Sequence, residues 1–318
     1  MILGFLEKWS PGFIGVWQEL AQNVRHLLEA GRTNRSILSE SSQPKTSELM
    51  KKHTRTTFGI LGLALFAGAS QASADVETLI GGSVTGEISA GWDSRNFYRG
   101  LWFGDETTSA NVELSTEIAP NLTGSVNLFY TDVMDNGLSY SEGNIGGALS
   151  YDAGFGTFDL GFIHYRFYDG FAGTPLGGAR SPGIGGNLEA NEFYLTYSQD
   201  LYWGISGHMT IARDLTIDGT YGEFGLSKSF KLSEWVGLDF SATAGYSLDS
   251  YYTFAGDDTV GWTHTLITLA LPVTLTETAT LTPHVSANIS SSARNATNSG
   301  ADRGDTEVFY GASFAVSF

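Results

Sequence analysis

The sequence contains no cysteine, few prolines and little positive charge. Its 318 residues include seven Pro, 17 Lys and Arg, and 34 Asp and Glu, which gives a formal charge of −17. The absence of cysteine excludes disulfides, thiolate metal sites and cysteine nucleophiles. Because so acidic a chain repels nucleic acid, we predict no nucleic-acid partner. The 40 Gly and 13% aromatic residues instead favour a β-rich protein with many tight turns.

Apolar runs long enough for a membrane-spanning helix are also missing. The apolar run at 58–69 has 12 residues, whereas a spanning helix needs roughly 20. Basic residues precede this run, and Ala72 and Ala74 follow it with the spacing of an Ala-x-Ala cleavage site. We therefore predict a signal peptide at 50–74, cleaved after Ala74. The mature chain, 75–318, then keeps nine basic and 29 acidic residues, a formal charge of −20.

Residues 1–49 precede this signal. A helical spacing of apolar residues marks 17–30, and 36–47 is polar and unstructured in character. We favour Met50 as the true start, with 1–49 an upstream extension from a misassigned start. The alternative is a signal peptide with a long n-region. A mature N-terminus well before Asp75 would contradict the predicted cleavage.

The mature chain consists of segments of about ten residues in which apolar and polar side chains alternate, the pattern of membrane barrel strands. Twelve such segments are present: 83–92, 108–118, 122–131, 144–151, 158–167, 192–198, 203–211, 221–230, 238–248, 263–273, 281–290 and 306–318. We place Trp203 and Val273 among the outward residues of their segments. Short turns near 119, 152, 199, 232 and 275 alternate with longer segments at 93–106, 132–143, 168–190, 213–220, 249–261 and 291–305.

This arrangement predicts an all-β fold, a transmembrane antiparallel up-and-down β-barrel of about 12 strands. Short periplasmic turns, longer external loops and an even strand count are typical of barrels in the Gram-negative outer membrane. Both termini would lie on the periplasmic side. Outer-membrane lipid and lipopolysaccharide are then expected partners.

The last segment ends in Phe318, after a row of apolar residues on one face. A terminal aromatic on an alternating strand resembles the closing strand of bacterial outer-membrane barrels. The resemblance implies that Phe318 is a signal to the barrel-assembly machinery. The alternative is an ordinary sandwich strand that happens to end in Phe.

Residues 91–100, Gly-Trp-Asp-Ser-Arg-Asn-Phe-Tyr-Arg-Gly, carry a family resemblance. They resemble the first strand and loop of the TorF-type outer-membrane porin family, and 110–130 resembles the strands that follow. The resemblance implies a barrel that passes small solutes, without naming a substrate.

If the apolar face meets lipid, the other face lines the lumen. This gives ten pore-lining candidates: Glu87, Asp93, Arg95, Arg99, Glu113, Glu117, Glu192, Glu223, Asp239 and Glu307. His208, His264 and His284 share that face. The acids predict a pathway for small hydrophilic solutes that favours cations or neutral molecules over anions. In the alternative, the acids pair with Arg95 and Arg99 in a closed interior, and the protein is a structural or adhesive surface barrel that acts through its loops.

Several further residues carry narrower expectations. Arg99 either anchors an inward-folding loop, selects solutes, or pairs with Asp93. The Gly-rich segment 169–188 is the candidate constriction. Arg166, Arg213 and Lys228 lie on or near the outer face, where they can reach lipid phosphates.

The remaining expectations are negative or open. Acids of the longer segments, such as Asp105, Glu106, Asp135 and Glu142, are either solvated turn residues or points where divalent cations bridge to lipopolysaccharide. No serine lies in a recognisable nucleophile motif, so we predict no enzyme, cofactor or resident metal.

Overall fold

The computed structural model describes residues 84–133, 140–168, 188–249, 251, 260–291 and 306–318. The upstream segment, the signal peptide and the cleavage site at Ala72 and Ala74 lie outside these residues. So does nearly all of the segment predicted to form the constriction. These remain predictions.

The described chain is almost entirely strand. Its strands are β1 (Val84–Tyr98), β2 (Leu101–Ala119), β3 (Leu122–Val133), β4 (Tyr140–Asp152), β5 (Thr157–Tyr168), β6 (Leu188–Asp200), β7 (Ser206–Asp214), β8 (Gly219–Lys231), β9 (Gly237–Asp249), β10 (Gly261–Ala270), β11 (Val273–Thr274), β12 (Ala279–Ser290) and β13 (Thr306–Ser317). Twelve are long, and each contains one of the predicted segments or most of it. Within the described residues no helix is long and apolar enough to cross a membrane.

Each strand pairs antiparallel with the next long strand along the chain, and the ring closes. β1 pairs with β13 from Glu87 opposite Ser317 to Asp93 opposite Gly311. β10 pairs with β12, so β11 is only a short addition to the terminal end of β12. The predicted antiparallel up-and-down barrel is therefore confirmed.

Phe318 completes the closure between β1 and β13. Its N–H donates to the Gly86 carbonyl at 2.9 Å, and the Gly86 N–H donates to its carbonyl at 2.8 Å. A Cβ on Gly86 would lie 2.6 Å from the Phe318 ring and 2.8 Å from Leu114. The absence of a side chain at Gly86 thus lets the last aromatic ring lie against the first strand.

The two faces of the barrel follow the alternation in the sequence. Large apolar side chains of the outward row are exposed: Val126, Ile145, Leu149, Leu160, Phe193, Leu195, Met209, Ile211, Phe224, Phe240, Leu248, Leu269, Val285, Val308 and Tyr310. In water such a surface would be unfavourable, whereas in lipid it is the expected one. A closed barrel also leaves no strand edge unpaired in the hydrocarbon. The architecture is that of a multi-pass outer-membrane barrel.

The barrel has two ends, which we name by what lies there. The terminal end carries Val84 and Phe318, together with the connections 120–121, 153–156, 201–205, 232–236 and 271–278. The loop end carries the connections 99–100, 134–139, 169–187, 215–218, 250–260 and 291–305. The predicted grouping of connections by end is correct.

Two of the predicted long connections are short. Most of 93–106 is strand, because Arg99 (φ 49°) and Gly100 (φ 81°) form a two-residue turn with positive φ at both positions, which matches the twist of a tight hairpin. Between β7 and β8, the Asp214 carboxylate accepts the N–H groups of Thr216 at 2.7 Å and Ile217 at 3.1 Å. These bonds tighten that turn to four residues.

Two predicted strand residues are placed differently. Trp203 was expected on a strand, but it lies in the turn Tyr202–Gly204 with φ 61° and is highly exposed. Val273 does not continue β10, because Pro272 lacks the N–H that a continuing strand needs. It begins β11 instead.

Candidate functional site: the barrel lumen

The predicted pore-lining positions on strands lie on the row opposite the exposed apolar side chains, and Arg99 lies in the turn between β1 and β2. Residues directly opposite one another share a face of the sheet, and Glu87 on β1 is opposite Glu113 on β2 and Ser317 on β13. Asp159 joins the inner row between the exposed Phe158 and Leu160. Sequence reasoning omitted Asp159, although the alternation of its neighbours already indicated it. The structure then divides the lumen into two regions.

At the loop end, the tip of the first hairpin is folded into the barrel mouth. This hairpin tip, residues 98–103, includes Leu101 at 3% exposure and Phe103 at 9%. Both pack in one cluster with Val133 of β3 and Tyr221 of β8, and with Tyr251 after β9. Since these partners come from widely separated strands, the tip lies within the ring of strands. The sequence predicts 93–106 as a longer connection and gives Arg99, as one alternative, the role of anchoring an inward-folding loop. The apolar sequence Leu-Trp-Phe of the tip fits that alternative better than a solvated loop.

Arg99 at the turn of this tip reaches across the barrel to Glu192 on β6. Its Nη1 lies 2.5 Å from Oε2 of Glu192 and its Nη2 lies 2.8 Å from Oε1. Four strands separate β1 from β6 by the shorter way round the ring. The contact therefore crosses the lumen instead of linking sheet neighbours. The carboxylate is 1% exposed, so this is a buried, bidentate ion pair.

Tyrosines surround the guanidinium of Arg99. Its Cζ lies 4.4 Å from the ring centroid of Tyr221, 5.0 Å from that of Tyr98 and 5.2 Å from that of Tyr251. The Tyr251 hydroxyl also accepts a hydrogen bond from Nη1. These distances are within the range of cation–π attraction.

Glu192 is held by tyrosine hydroxyls as well. Tyr165 donates to Oε1 at 3.2 Å, and Tyr251 lies 3.5 Å from Oε2. The Tyr98 and Tyr165 hydroxyls are 3.1 Å apart. The carboxylate is thus also held from the β5, β6 and β9 side of the barrel, by groups outside the hairpin tip.

A second polar network lies on the inner wall of β12, β13, β1 and β2. Arg95 forms an ion pair with Glu307, and its Nε is 3.7 Å from Asp105. Asp93 accepts a hydrogen bond from Nε2 of His284 at 2.8 Å. The expectation that Arg99 pairs with Asp93 is therefore wrong, because β12 supplies His284 to Asp93 and β6 supplies Glu192 to Arg99. In this half of the lumen the acids are paired, as the closed-interior alternative predicts.

Towards the terminal end, the inner wall is acidic and exposed to solvent. Five carboxylates lie there, which we call the acidic vestibule: Glu87, Glu113, Glu117, Asp159 and Asp239. Among the residues that the structure describes, no ion pair involves any of the five, and the three glutamates are exposed to solvent. Glu87 and Glu113 sit directly opposite one another. Like charges in that position repel, so the wall attracts cations to it.

Glu223 marks the level between the two regions. Its Oε2 accepts from the Tyr221 hydroxyl at 3.0 Å, and its Oε1 is 3.3 Å from Nε2 of His208. Tyr221 stacks on His264, with ring centroids 6.4 Å apart. A bulge at Thr263 turns His264 towards the lumen.

The outward basic residues are engaged near the barrel rims. Arg166 is 3.9 Å from Glu189, Arg213 is 2.9 Å from Asp249, and Lys228 donates to the Trp203 carbonyl at 2.8 Å. Within the described ranges, no group of three or more His, Asp or Glu side chains is arranged to hold a metal ion. The acids Asp135, Asp257, Asp258, Asp302 and Asp305 of the longer connections lie outside those ranges.

No family model matches this chain, and no curated protein matches it. Among solved structures it is similar to the translocator domain of autotransporter NalP from Neisseria meningitidis, with 14% identity, TM-score 0.43, and coverage of 82% of this chain and 97% of that one. It is also similar to KdgM porin, with 9% identity, TM-score 0.42, and coverage of 73% of this chain and 99% of that one. A third similar structure is LpxR from Salmonella typhimurium, with 9% identity, TM-score 0.45, and coverage of 73% of this chain and 99% of that one. The barrel assignment rests on the strand pairing described above.

Proposed function

We propose that this protein is an outer-membrane channel for passive diffusion of small hydrophilic solutes, with a preference for cations and neutral molecules. The observation that carries the proposal is the acidic vestibule, a solvent-reached inner wall with five carboxylates and no ion pair to them among the described residues. Carboxylates in a ring raise the local concentration of cations and repel anions. A barrel that served only as a scaffold would have no use for unpaired charge on its inside.

We place a narrow level of such a channel at the hairpin tip. The Arg99–Glu192 pair spans the loop end, and the apolar side chains of the tip pack around it. A solute moving through the lumen therefore has to pass beside this contact or displace it. Six of the ten predicted positions then act in two groups, with Glu87, Glu113, Glu117 and Asp239 of the vestibule selecting charge and Arg99 and Glu192 controlling passage.

Planar-bilayer recording of the purified barrel tests this proposal. We expect ohmic or stepwise conductance, with reversal potentials in a KCl gradient that indicate cation preference. Replacing both Glu113 and Glu117 by Gln is expected to reduce that preference. Glu189→Gln, on the outer face and 3.9 Å from Arg166, is the matched control and is expected to leave it unchanged. Anion selectivity of the unmodified barrel contradicts the proposed role of the inner row.

A second candidate is a non-conducting surface barrel that acts through its loops. The contact that crosses the lumen between Arg99 and Glu192 favours it. Absence of conductance at any voltage, in both the unmodified protein and Arg99→Ala, supports this candidate against the channel.

We further propose that the chain belongs with the TorF-type porins, on residues 91–130, and that it is not an enzyme. Lipopolysaccharide and the barrel-assembly machinery remain its proposed partners. The signal peptide at 50–74 is proposed on its sequence alone. N-terminal sequencing of the protein recovered from membranes tests it, with Asp75 as the expected first residue.

A further inference from the structure

We propose that Glu192, Tyr165, Tyr221 and Tyr251 form a binding site for guanidinium-bearing solutes, which Arg99 of the same chain occupies at rest. The inference rests on the proposed channel function and deepens it, because it names the class of solute that the narrow level of the lumen accepts. Arg99 is then a tethered occupant, and the hairpin tip that carries it is the part that a solute displaces.

The site and its occupant belong to separate parts of the barrel. The carboxylate and two of the tyrosines come from β5, β6 and β8, and Tyr251 lies two positions after the end of β9. The guanidinium comes from a two-residue turn between β1 and β2. Tyr165 and Tyr251 contact Glu192 directly, and Tyr221 is anchored to Glu223 at 3.0 Å. None of these groups belongs to the hairpin tip, so the site is supplied by other parts of the barrel.

The chemistry of the site matches a planar cation. Two parallel N–H···O bonds join the guanidinium to Glu192, an arrangement that needs two donors in a fixed fork. Aromatic faces lie 4.4 Å and 5.2 Å from the central carbon. An alkali cation has neither the fork nor a plane to stack, and an anion is repelled by the carboxylate. Guanidinium compounds therefore fit this site better than other small ions.

Burial makes an empty site unfavourable. Glu192 is 1% exposed and Tyr221 is 1% exposed, and a buried carboxylate left without its cation is strongly destabilised. The site is therefore filled either by Arg99 or by a cation of the same shape. Exchange of one for the other frees the hairpin tip, which couples entry of the solute to opening of the mouth.

Isothermal titration calorimetry with methylguanidinium on the purified, detergent-solubilised barrel tests the proposal. We expect Arg99→Ala to bind this probe at least tenfold more tightly than the unmodified protein, whose site is occupied. Sodium and tetramethylammonium at the same ionic strength are expected to give no saturable heat. Arg99→Ala with Glu192→Gln is expected to lose binding, whereas Arg99→Ala with Glu189→Gln keeps it, since Glu189 lies on the outer face of the same strand.

Equal affinity in all these proteins, or no binding in any of them, overturns the proposal. If Arg99→Ala does not fold alone, it is refolded with methylguanidinium, and folding is followed by the shift of the barrel on unheated gels. Rescue by methylguanidinium but not by sodium chloride supports the site, and failure of rescue overturns it. Conductance is recorded in a separate experiment. If the barrel does not conduct, the channel proposal fails, and the binding measurement still tests the guanidinium site.

Discussion

The loop end and the terminal end of the lumen solve the same problem, polar groups inside a barrel, in different ways. At the loop end, charges are paired and buried, as in Arg99 with Glu192. At the terminal end, charges are unpaired among the described residues and solvated, as in Glu113 and Glu117. The first arrangement holds a fixed structure because each charge depends on its partner. The second keeps an electric field that solutes in water can feel, because no partner cancels it.

The largest expected difference between the two ends is in stability. Glu192→Gln leaves the buried guanidinium of Arg99 without a counter-charge, and we expect a loss of about 3–5 kcal/mol in the free energy of unfolding. Urea unfolding of the refolded barrel in detergent measures it. Glu189→Gln, about half exposed on the same strand, serves as the control. A loss below about 1 kcal/mol for Glu192→Gln, the value typical of an exposed pair, would mean that the loop end is wet as well.

One position tests whether the terminal end has a tightly packed point of its own. Gly86→Ala places a methyl group 2.6 Å from the Phe318 ring, and such overpacking costs about 1–3 kcal/mol. We expect slower assembly into membranes and easier urea unfolding. Gly207→Ala, whose nearest neighbour is the flexible Leu201 side chain at 3.1 Å, is the control. Deletion of Phe318 is expected to lower the assembled yield without changing conductance per channel.

A hydroxyl at the loop end gives a smaller effect than the charge of Glu192. Tyr165→Phe removes the hydrogen bond to Oε1 of Glu192 at 3.2 Å and the contact with the Tyr98 hydroxyl. We expect a loss of about 1.5–3 kcal/mol at most, since hydrogen bonds to charged groups lie in that range and Arg99 still neutralises the carboxylate. Thermal unfolding of this variant and of the unmodified protein measures the difference. A loss below about 0.5 kcal/mol, as for a surface substitution, would mean that this hydroxyl does not stabilise the buried pair.

The smallest stability effect is expected in the vestibule. Glu117→Gln removes an exposed charge with no ion pair in the described chain, and such surface changes usually alter stability by less than about 0.5 kcal/mol. Its effect should instead appear in ion selectivity, measured by reversal potential in a salt gradient. Unchanged selectivity together with a large loss of stability would reverse the roles that we assign to the two ends.

The sequence predicts the barrel well because its alternation is local. Leu238, Phe240 and Leu248 lie on one face of β9 by spacing alone, and the inward position of Glu192 follows from Phe193 and Leu195 in the same way. The pairing of Arg99 with Glu192 could not be predicted from this alternation. The two residues are 93 positions apart, and alternation gives the face of a side chain but not its height or what lies across the lumen.

The sequence overestimates the length of the connection at the hairpin tip for a related reason. Composition alone does not show whether this connection is a long loop or a tight turn. Positive φ at Arg99 and Gly100 makes it a two-residue turn. The short turn then draws Leu101 and Phe103 into the mouth. Only the geometry of the ring shows that the apolar residues beside this turn have an interior to fill.

The closing contact between Gly86 and Phe318 has a kinetic consequence. Its two residues are separated by nearly all of the described chain, so the ring cannot close until every strand between them is available. Contacts so distant along the chain form slowly, because the entropy of closing the intervening loop is lost before any bond is gained. Until then β1 and the last strand formed both present free edges. The moment of closure therefore determines how long the chain depends on protection from aggregation.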